Sequence, residues 1–152
     1  MNELDDQLYS KIQNLCTIGD KLAEKGNYSN ALSEYWNAFD LIPEPKINWE
    51  ATTWVLVAIG DANFLGKDFQ AGVDNLSNAM HCPGAIGNPF IHLRLGQCQF
   101  EIGNLERAAD ELTRAYALKG EELFLEEDAK YLSFLMTKIE TEKPKKKAWW
   151  KF

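Results

Sequence analysis

Three stretches of the sequence repeat one pattern of small residues and align with one another without a gap. They cover residues 18–39, 59–80 and 95–116. In each stretch a glycine is followed, at the same two intervals, by a small residue and then by an alanine. The three sets are Gly19, Ala31 and Ala38; Gly60, Gly72 and Ala79; and Gly96, Ala108 and Ala115. Such concordance indicates an internal repeat, so most of the chain consists of three copies of one unit.

Each unit has the pattern of two helices joined by a tight turn. The turns contain Gly26, Gly66 and Gly103, and residues that commonly cap a helix start follow them at Asn27, Asp68 and Asn104. Small side chains let two helices approach closely. We therefore expect the glycine of each first helix to face the small residue of the second helix, as Gly60 would face Gly72.

The sequence outside the repeats predicts further helical structure and a tail. Asn88 and Pro89 form a typical helix start, since proline at the first helical position lacks only a donor that would be unpaired there. Apolar residues at helical spacing after the third unit predict a capping helix over 121–140. We expect seven helices in a single domain of residues 1–142, with residues 143–152 as a disordered tail.

The spacing of the small residues resembles that of the tetratricopeptide repeat (TPR) family, in which a proline commonly follows the second helix, as Pro43 does here. The resemblance implies an all-α fold, a short right-handed α-solenoid with a C-terminal capping helix. Its three helical hairpins would cover residues 12–45, 53–86 and 89–120. One departure is that the family's usual aromatic residue, three positions after the first glycine, is replaced by Leu22, Asn63 and Gln99.

The TPR resemblance also implies a binding groove, because the first helices of successive units line the concave face of the solenoid. The family's groove positions include the residues that we predict to contact a partner: Asp20, Trp54, Asp61, Phe64, Phe90, Arg94, Gln97 and Phe100. Tryptophan, phenylalanine and arginine commonly supply much of the binding energy at protein interfaces. Trp54 and Phe90 lie near helix starts, so burial against the preceding unit is an equal alternative for both.

The charge distribution indicates what kind of partner such a groove would bind. The chain carries a net charge of −7, but residues 143–152 contain five lysines and no acid, which leaves −12 on residues 1–142. This field repels nucleic acid and attracts a basic protein. The acids of residues 120–128 favour a solvated helix start, or alternatively an electrostatic contact for a basic partner. The lysines and aromatics of the tail would also suit a membrane surface or a nucleic acid strand, but a disordered tail fits an acidic body better.

No stretch of the sequence indicates a membrane or an export pathway. The longest apolar stretch, WVLVAIG, is too short to span a bilayer. The acidic start MNELDDQLYS does not resemble a secretory signal. We therefore expect a cytoplasmic protein without a membrane partner.

Residues that commonly carry catalysis are few. The two histidines, His81 and His92, have no acid or nucleophile at a spacing typical of a catalytic set, and the three cysteines lack the spacing of a zinc site. We expect no enzyme activity, no cofactor and no metal, and we expect His92 to be structural. The adjacent His81 and Cys82 leave a hidden catalytic or regulatory site as an alternative, although Pro83 and Gly84 after them fit a simple helix end.

These observations predict a non-enzymatic protein-binding module. Two stretches, NPFIHLRLGQCQFE and DELTRAYALKGEELFLEEDAKYLSFL, resemble small bacterial TPR immunity proteins of toxin gene clusters. That resemblance implies that the chain binds and neutralises a toxin domain, and the acidic charge favours a basic toxin such as a nuclease. The alternative is a secretion chaperone that holds an extended client segment in the groove. We expect a monomer.

Overall fold

The computed structural model describes residues 4–148, with the side chains of residues 4–139. Within this range the chain forms seven α-helices, two short 3-10 helices and no strand. The α-helices are α1 (Asp6–Glu24), α2 (Tyr28–Leu41), α3 (Glu50–Leu65), α4 (Phe69–Ala79), α5 (Pro89–Glu101), α6 (Leu105–Lys119) and α7 (Ala129–Ala148). The 3-10 helices are η1 (Lys46–Asn48) and η2 (Glu121–Phe124). The expected all-α fold is therefore confirmed.

The second helix of each unit begins where the sequence predicts, and side chains cap two of these starts. Asn27 precedes α2 and accepts a hydrogen bond from the Asn30 backbone N–H at 3.4 Å. Asp68 precedes α4 and accepts one from the Ala71 N–H, also at 3.4 Å. Asn104 lies at the equivalent position before α6, but its side chain makes no capping hydrogen bond. The caps satisfy amides that have no partner inside the helix, which fixes the helix starts.

All three predicted turns contain their glycine, but in the second turn the left-handed residue is not the glycine. In the first and third turns a glycine takes the left-handed conformation, with φ of 79° at Gly26 and 84° at Gly103. In the second turn Gly66 has a φ of −82° and follows the last residue of α3, whereas Lys67 has a φ of 65°. A residue with a Cβ atom is strained in this conformation. The second turn therefore contains a less suitable residue than its two equivalents.

Close contact between helices explains the glycines of the repeat. A Cβ atom built on Gly60 would lie 2.4 Å from Cγ of Leu76 in α4, so α3 has no room for a side chain there. A Cβ atom built on Gly72 would lie 3.6 Å from the Gly60 carbonyl oxygen but 2.6 Å from Sγ of Cys98 in α5. Gly60 and Gly72 are close, as predicted. The space above each first-helix glycine, however, is filled by a side chain one turn beyond the small residue: Tyr35, Leu76 and Leu112.

Two apolar clusters form the core. The larger cluster extends from α1 to α5. The smaller cluster joins α5, α6, η2 and α7 through Leu93, Leu112, Ala115, Phe124, Tyr131 and Leu135. Successive helices pack against each other along the chain, so each unit buries its apolar surface against its neighbours.

Two polar residues occupy the position at which the TPR family commonly has an aromatic ring. Asn63 is buried and accepts a hydrogen bond from Nδ2 of Asn75 at 2.8 Å. Gln99 is also buried, and its Oε1 has no hydrogen-bond partner within the described part of the chain. The second unit therefore compensates for its polar residue, whereas the third unit leaves one acceptor unsatisfied at a cost in stability.

The connector between the first two units is held by side chains. Lys46 Nζ donates a hydrogen bond to the Ile42 carbonyl oxygen at the end of α2. Trp49 Nε1 donates to the Pro43 carbonyl oxygen at 2.9 Å, and Thr52 Oγ1 donates to the Lys46 carbonyl oxygen at 2.5 Å. The first two bonds satisfy backbone acceptors that have no helical partner, and the third adds a donor to a carbonyl that already accepts the Trp49 N–H.

The C-terminal helix has different bounds from the predicted 121–140. Residues 121–128 form η2 and a turn, and α7 begins only at Ala129 and continues to Ala148. Helical structure therefore extends into residues 143–148, where the sequence predicts a disordered tail. Residues 149–152 lie outside the described part of the chain.

Candidate functional site

The predicted groove residues divide into an exposed group and a buried group. Trp54 on α3 is 47% exposed, and Asp20 on α1 is exposed as well. Arg94 is only 7% exposed, Gln97 is completely buried, and Asp61, Phe64, Phe90 and Phe100 are half-buried. We call Asp20 and Trp54 the open part of the concave face. We call the residues that contact the C-terminal segment 120–139 the closed part: Phe64, Arg94, Gln97 and Phe100.

Arg94 lies at the centre of the closed part and makes three hydrogen bonds. Its Nε donates to Asp61 Oδ1 at 2.7 Å, and its Nη1 donates to Gln97 Oε1 at 2.8 Å and to Glu127 Oε1 at 2.6 Å. Gln97 Nε2 donates to the same Glu127 oxygen at 2.8 Å. A buried guanidinium is stable only with such partners. Because Glu127 belongs to the C-terminal segment, these bonds attach that segment to α5.

Two aromatic rings complete the surroundings of Arg94. The guanidinium carbon lies 4.4 Å from the ring centre of Phe64 and 4.9 Å from that of Phe90. Such cation–π contacts stabilise a cation, more so where water is excluded. Phe90 is positioned by the start of α5, where Pro89 is the first helical residue and Asn88 accepts a hydrogen bond from the Phe90 N–H at 3.0 Å. Both rings therefore stabilise an arginine of their own chain.

Phe64 and Phe100 also contact α7. The ring centre of Phe100 lies 5.4 Å from that of Tyr131 and 5.2 Å from that of Phe134, and the Phe64 and Tyr131 ring centres are 6.3 Å apart. The Tyr131 hydroxyl donates to Glu101 Oε2 at 2.7 Å. Burial, and then this hydrogen bond, raises the pKa of Tyr131. These aromatic residues, predicted to contact a partner, thus pack against the chain's own C-terminal segment.

The open part combines an exposed indole with negative charge. Trp54 Nε1 donates to Glu50 Oε1 at 3.4 Å, one turn earlier on α3. Asp20 accepts a hydrogen bond from the Tyr35 hydroxyl at 2.6 Å. Burial raises the pKa of Tyr35, and the carboxylates of Asp20 and Asp61 raise it further. The carboxylates of Asp20 and Asp61 therefore both raise the pKa of the Tyr35 hydroxyl. Asp61 lies two turns after Trp54 on α3.

A second concavity, which we call the C-terminal groove, lies between the start of α5 and the C-terminal segment. Its volume is about 580 Å³. Its apolar lining residues are Phe90, Leu93, Leu123 and Leu125, and Leu125 is 70% exposed. The charged lining residues are Arg94, Lys119, Glu122, Glu126 and Glu127. Because Arg94 pairs with Asp61 and Glu127, the exposed charges of the groove come from Lys119, Glu122 and Glu126.

The histidines and cysteines do not form a reactive set. His92 is buried, with Nδ1 2.7 Å from Glu111 Oε2, and its Nε2 accepts a hydrogen bond from the Gly87 N–H at 2.9 Å. This is the structural role expected for His92. Cys82 is buried, and burial raises the pKa of its thiol, which disfavours the nucleophilic thiolate, while His81 is exposed.

The side chains in the described part of the chain include no group of three histidines, cysteines or acids that could hold a metal ion. None of its helices is long and apolar enough to cross a membrane.

The sequence did not identify the residues of the C-terminal segment that cover the closed part of the concave face. These are Glu127, Tyr131 and Phe134, which lie beyond the three repeats. One signal was present: Arg94 is a charged residue between the apolar residues Leu93 and Leu95. An arginine at such a position needs carboxylate partners, and the acids of residues 120–128 were available.

Three solved structures have the same fold as this chain. The first TPR of Spaghetti (RPAP3), bound to the HSP90 peptide SRMEEVD, has a TM-score of 0.66 at 19% identity, over 88% of this chain and 92% of that chain. The C-terminal TPR-containing domain of PFL2275c from Plasmodium falciparum has a TM-score of 0.71 at 15% identity, over 96% and 97%. The Yersinia enterocolitica type III secretion chaperone SycD, in complex with a peptide of the translocator YopD, has a TM-score of 0.68 at 17% identity, over 93% and 100%.

These likenesses concern the fold. The chain has the fold of a TPR solenoid, which confirms the fold class expected from the spacing of its small residues. No family model matches the sequence, and comparison with curated proteins finds no match.

Proposed function

We propose that the chain is a non-enzymatic protein-binding module whose partner contacts the open part of the concave face. The observation that carries this proposal is Trp54, which is 47% exposed on a first helix of the solenoid. A large aromatic side chain in solvent is typical of an interface residue, because its burial by a partner supplies much of the binding energy. Two TPR structures with the same fold hold a peptide, which supports a binding role.

We propose further that the partner is basic. Residues 1–142 carry a net charge of −12, and Asp20 and Asp61 concentrate negative charge on the concave face. Arg94 does not offset this charge for a ligand, because Asp61 and Glu127 already pair with it. The peptide bound by the Spaghetti TPR, SRMEEVD, is acidic. The open part of this chain would repel such a peptide, so its partner belongs to a different chemical class.

Our specific proposal is that this partner is a folded toxin domain, which the chain neutralises as an immunity protein by covering its active site or its target-binding face. Two observations support it beside the sequence resemblance. The C-terminal segment occupies the closed part, which leaves a short binding face that suits a compact surface. The acidic charge would also attract a basic toxin and accelerate association.

A secretion chaperone is the second candidate. It is favoured by the similarity to SycD, whose solved structure holds a peptide of the translocator YopD. An extended client segment would need a longer face than the open part provides. A chaperone role therefore requires the C-terminal segment to move, with loss of the hydrogen bond between Arg94 and Glu127.

The test of the binding face is a pair of matched tryptophan variants. The probe is the protein encoded by the neighbouring gene, with binding measured by titration calorimetry. Trp54→Ala should weaken binding about 30-fold, the effect of losing about 2 kcal/mol at an interface hot spot. Trp36→Ala is the control, because Trp36 is 37% exposed but lies on the second helix of its unit. Equal affinities for the two variants would refute the proposed face.

The two candidate functions differ in the state of the partner that they require. An immunity protein should bind the folded toxin domain, suppress its activity and lose binding when that domain is unfolded. A chaperone should bind a synthetic peptide from its client with similar affinity. Binding of the peptide but not of a folded domain would replace the immunity proposal with the chaperone role.

A further inference from the structure

The end of the chain differs in chemistry from everything that precedes it. Residues 143–152, KPKKKAWWKF, contain five lysines and three large aromatic residues, and no acid. Burial of apolar surface favours association, so aromatic residues gain when a partner covers them. We propose that this C-terminal sequence of one copy of the chain binds the C-terminal groove of a second copy.

The lining of the C-terminal groove complements both properties of KPKKKAWWKF. Phe90, Leu93, Leu123 and Leu125 offer apolar surface for aromatic side chains. Leu125 is 70% exposed, so water covers a large apolar residue that a partner would bury. The volume of about 580 Å³ falls within the range of pockets that hold small organic ligands.

The charge of the groove attracts lysine. Glu122 and Glu126 are exposed on its lining, and Lys119 is the exposed cation there. Arg94 adds no unpaired positive charge, because Asp61 and Glu127 both accept hydrogen bonds from it. The same residues would repel an acidic segment, so the groove selects a sequence that is both basic and aromatic.

The length of α7 prevents residues 149–152 from reaching the C-terminal groove of their own copy. The groove ends at Glu127, next to the start of α7 at Ala129, and the helix continues to Ala148. At 1.5 Å per residue the end of α7 lies about 28 Å from its start. Residues 149–152 span at most about 14 Å even when fully extended, so Trp149 and Trp150 cannot return. The groove that they can reach belongs to another copy.

Such an exchange differs from the monomer expected from the sequence. If each copy inserts its C-terminal sequence into the other, the association closes as a symmetric dimer. The inference is independent of the proposed toxin partner, because it uses the C-terminal groove and not the open part with Trp54. Failure of one proposal leaves the other in place.

The first measurement is sedimentation velocity of the full chain at low salt, over a wide range of protein concentration. We expect self-association that weakens as salt is added, because charge pairs contribute to it. The full-length variant Trp149→Ala, Trp150→Ala, Phe152→Ala should remain a monomer under the same conditions. A monomeric wild-type chain, or a variant that associates as strongly as the wild type, would overturn the proposal.

The second measurement locates the binding site with a labelled synthetic peptide of residues 143–152. The peptide is titrated into the triple-alanine chain, and binding is followed by fluorescence anisotropy. Glu126→Lys in that chain should weaken binding about tenfold, since it removes one attraction and adds one repulsion. Glu24→Lys, at the exposed end of α1, changes the net charge equally and should alter affinity less than about twofold.

Circular dichroism confirms that both charge variants are folded. Equal affinity of the peptide for the two variants would show attraction to net charge without a site in the groove, and would overturn the assignment. A peptide with alanine at both tryptophans should bind about 30-fold more weakly, as expected when a central aromatic contact is lost. Retention of full affinity by that peptide would also contradict the proposal.

Discussion

Replacement of Arg94 by methionine tests whether the guanidinium holds the C-terminal segment in place. Methionine retains much of the length of arginine and can keep apolar contact with Phe64 and Phe90. It cannot donate the hydrogen bonds that Asp61, Gln97 and Glu127 accept from Arg94. The variant therefore separates the charge of Arg94 from its packing.

The expected loss follows from the burial of the groups left behind. Removal of one partner of a fully buried ion pair costs about 3–5 kcal/mol, because the other charge loses its compensation. Here the side chains of Asp61 and Glu127 keep 32% and 20% of their exposure, so water solvates them in part. We therefore expect Arg94→Met to lower the free energy of unfolding by about 2–3 kcal/mol.

Two assays distinguish a local effect from a general one. Urea denaturation followed by circular dichroism measures the free energy of unfolding. Hydrogen exchange of the amides in residues 129–139 measures local opening of α7, and we expect these amides to exchange faster in Arg94→Met. Arg114→Met is the matched control, because Arg114 is exposed and its ion pair with Asp110, at 3.5 Å, is on the surface. Arg114→Met should lower the free energy of unfolding by less than about 0.5 kcal/mol.

Unchanged exchange in α7 would refute the reasoning, even if Arg94→Met lowered the overall stability. Glu127→Gln gives a graded test of the same contact. The glutamine carbonyl oxygen can still accept the hydrogen bond from Arg94, so only the charge is lost, and we expect a cost of about 1 kcal/mol. A larger loss for Glu127→Gln than for Arg94→Met would contradict the central role of the guanidinium.

Three further predictions concern single positions, each measured by urea denaturation. Gly60→Ala gains about 1 kcal/mol of helix propensity, but it forces a Cβ atom against Leu76, an overpacking cost of about 1–3 kcal/mol. We therefore expect a lower free energy of unfolding. A more stable variant would contradict the close contact between Gly60 and Leu76. Lys67→Gly should raise the free energy of unfolding by about 0.5–1 kcal/mol by relieving the left-handed residue; no gain would argue against that conformation. Burial and Asp20 raise the pKa of Tyr35 in the folded chain. The free energy of unfolding should therefore fall as the pH rises above about 10, the pKa of tyrosine in the unfolded chain. Tyr35→Phe should reduce this fall, and identical pH profiles of the two proteins would refute Tyr35 as its cause.

The repeat was predictable from the sequence because its determinants are local. Gly60 and Gly72 lie in one hairpin, and the side chains that crowd them, Leu76 and Cys98, come from the same hairpin and from the next helix along the chain. Asn27 and Asp68 cap helices through amides three residues away. Periodicity and helix-start patterns detect such relations, since each involves one helix end or one pair of neighbouring helices.

The closed part of the concave face was not predictable in the same way. The hydrogen bonds from Arg94 to Asp61 and to Glu127 each join residues that are 33 positions apart. No repeat spacing encodes the second of these bonds, because Glu127 lies outside the three units. The family's groove positions therefore include residues, such as Gln97 and Phe100, that this chain uses for its own packing.

The first-helix glycines Gly19 and Gly60 are 41 residues apart and Gly60 and Gly96 are 36 apart, so the connector over residues 43–48 adds length to the helical array. Lys46 and Trp49 donate to the Ile42 and Pro43 carbonyl oxygens, which have no helical partner, and Thr52 adds a second donor to the Lys46 carbonyl oxygen. These hydrogen bonds hold the connector in one conformation between two adjacent helical hairpins. Curvature in this architecture can therefore be retuned at a single joint, provided that each added carbonyl is matched by a donor.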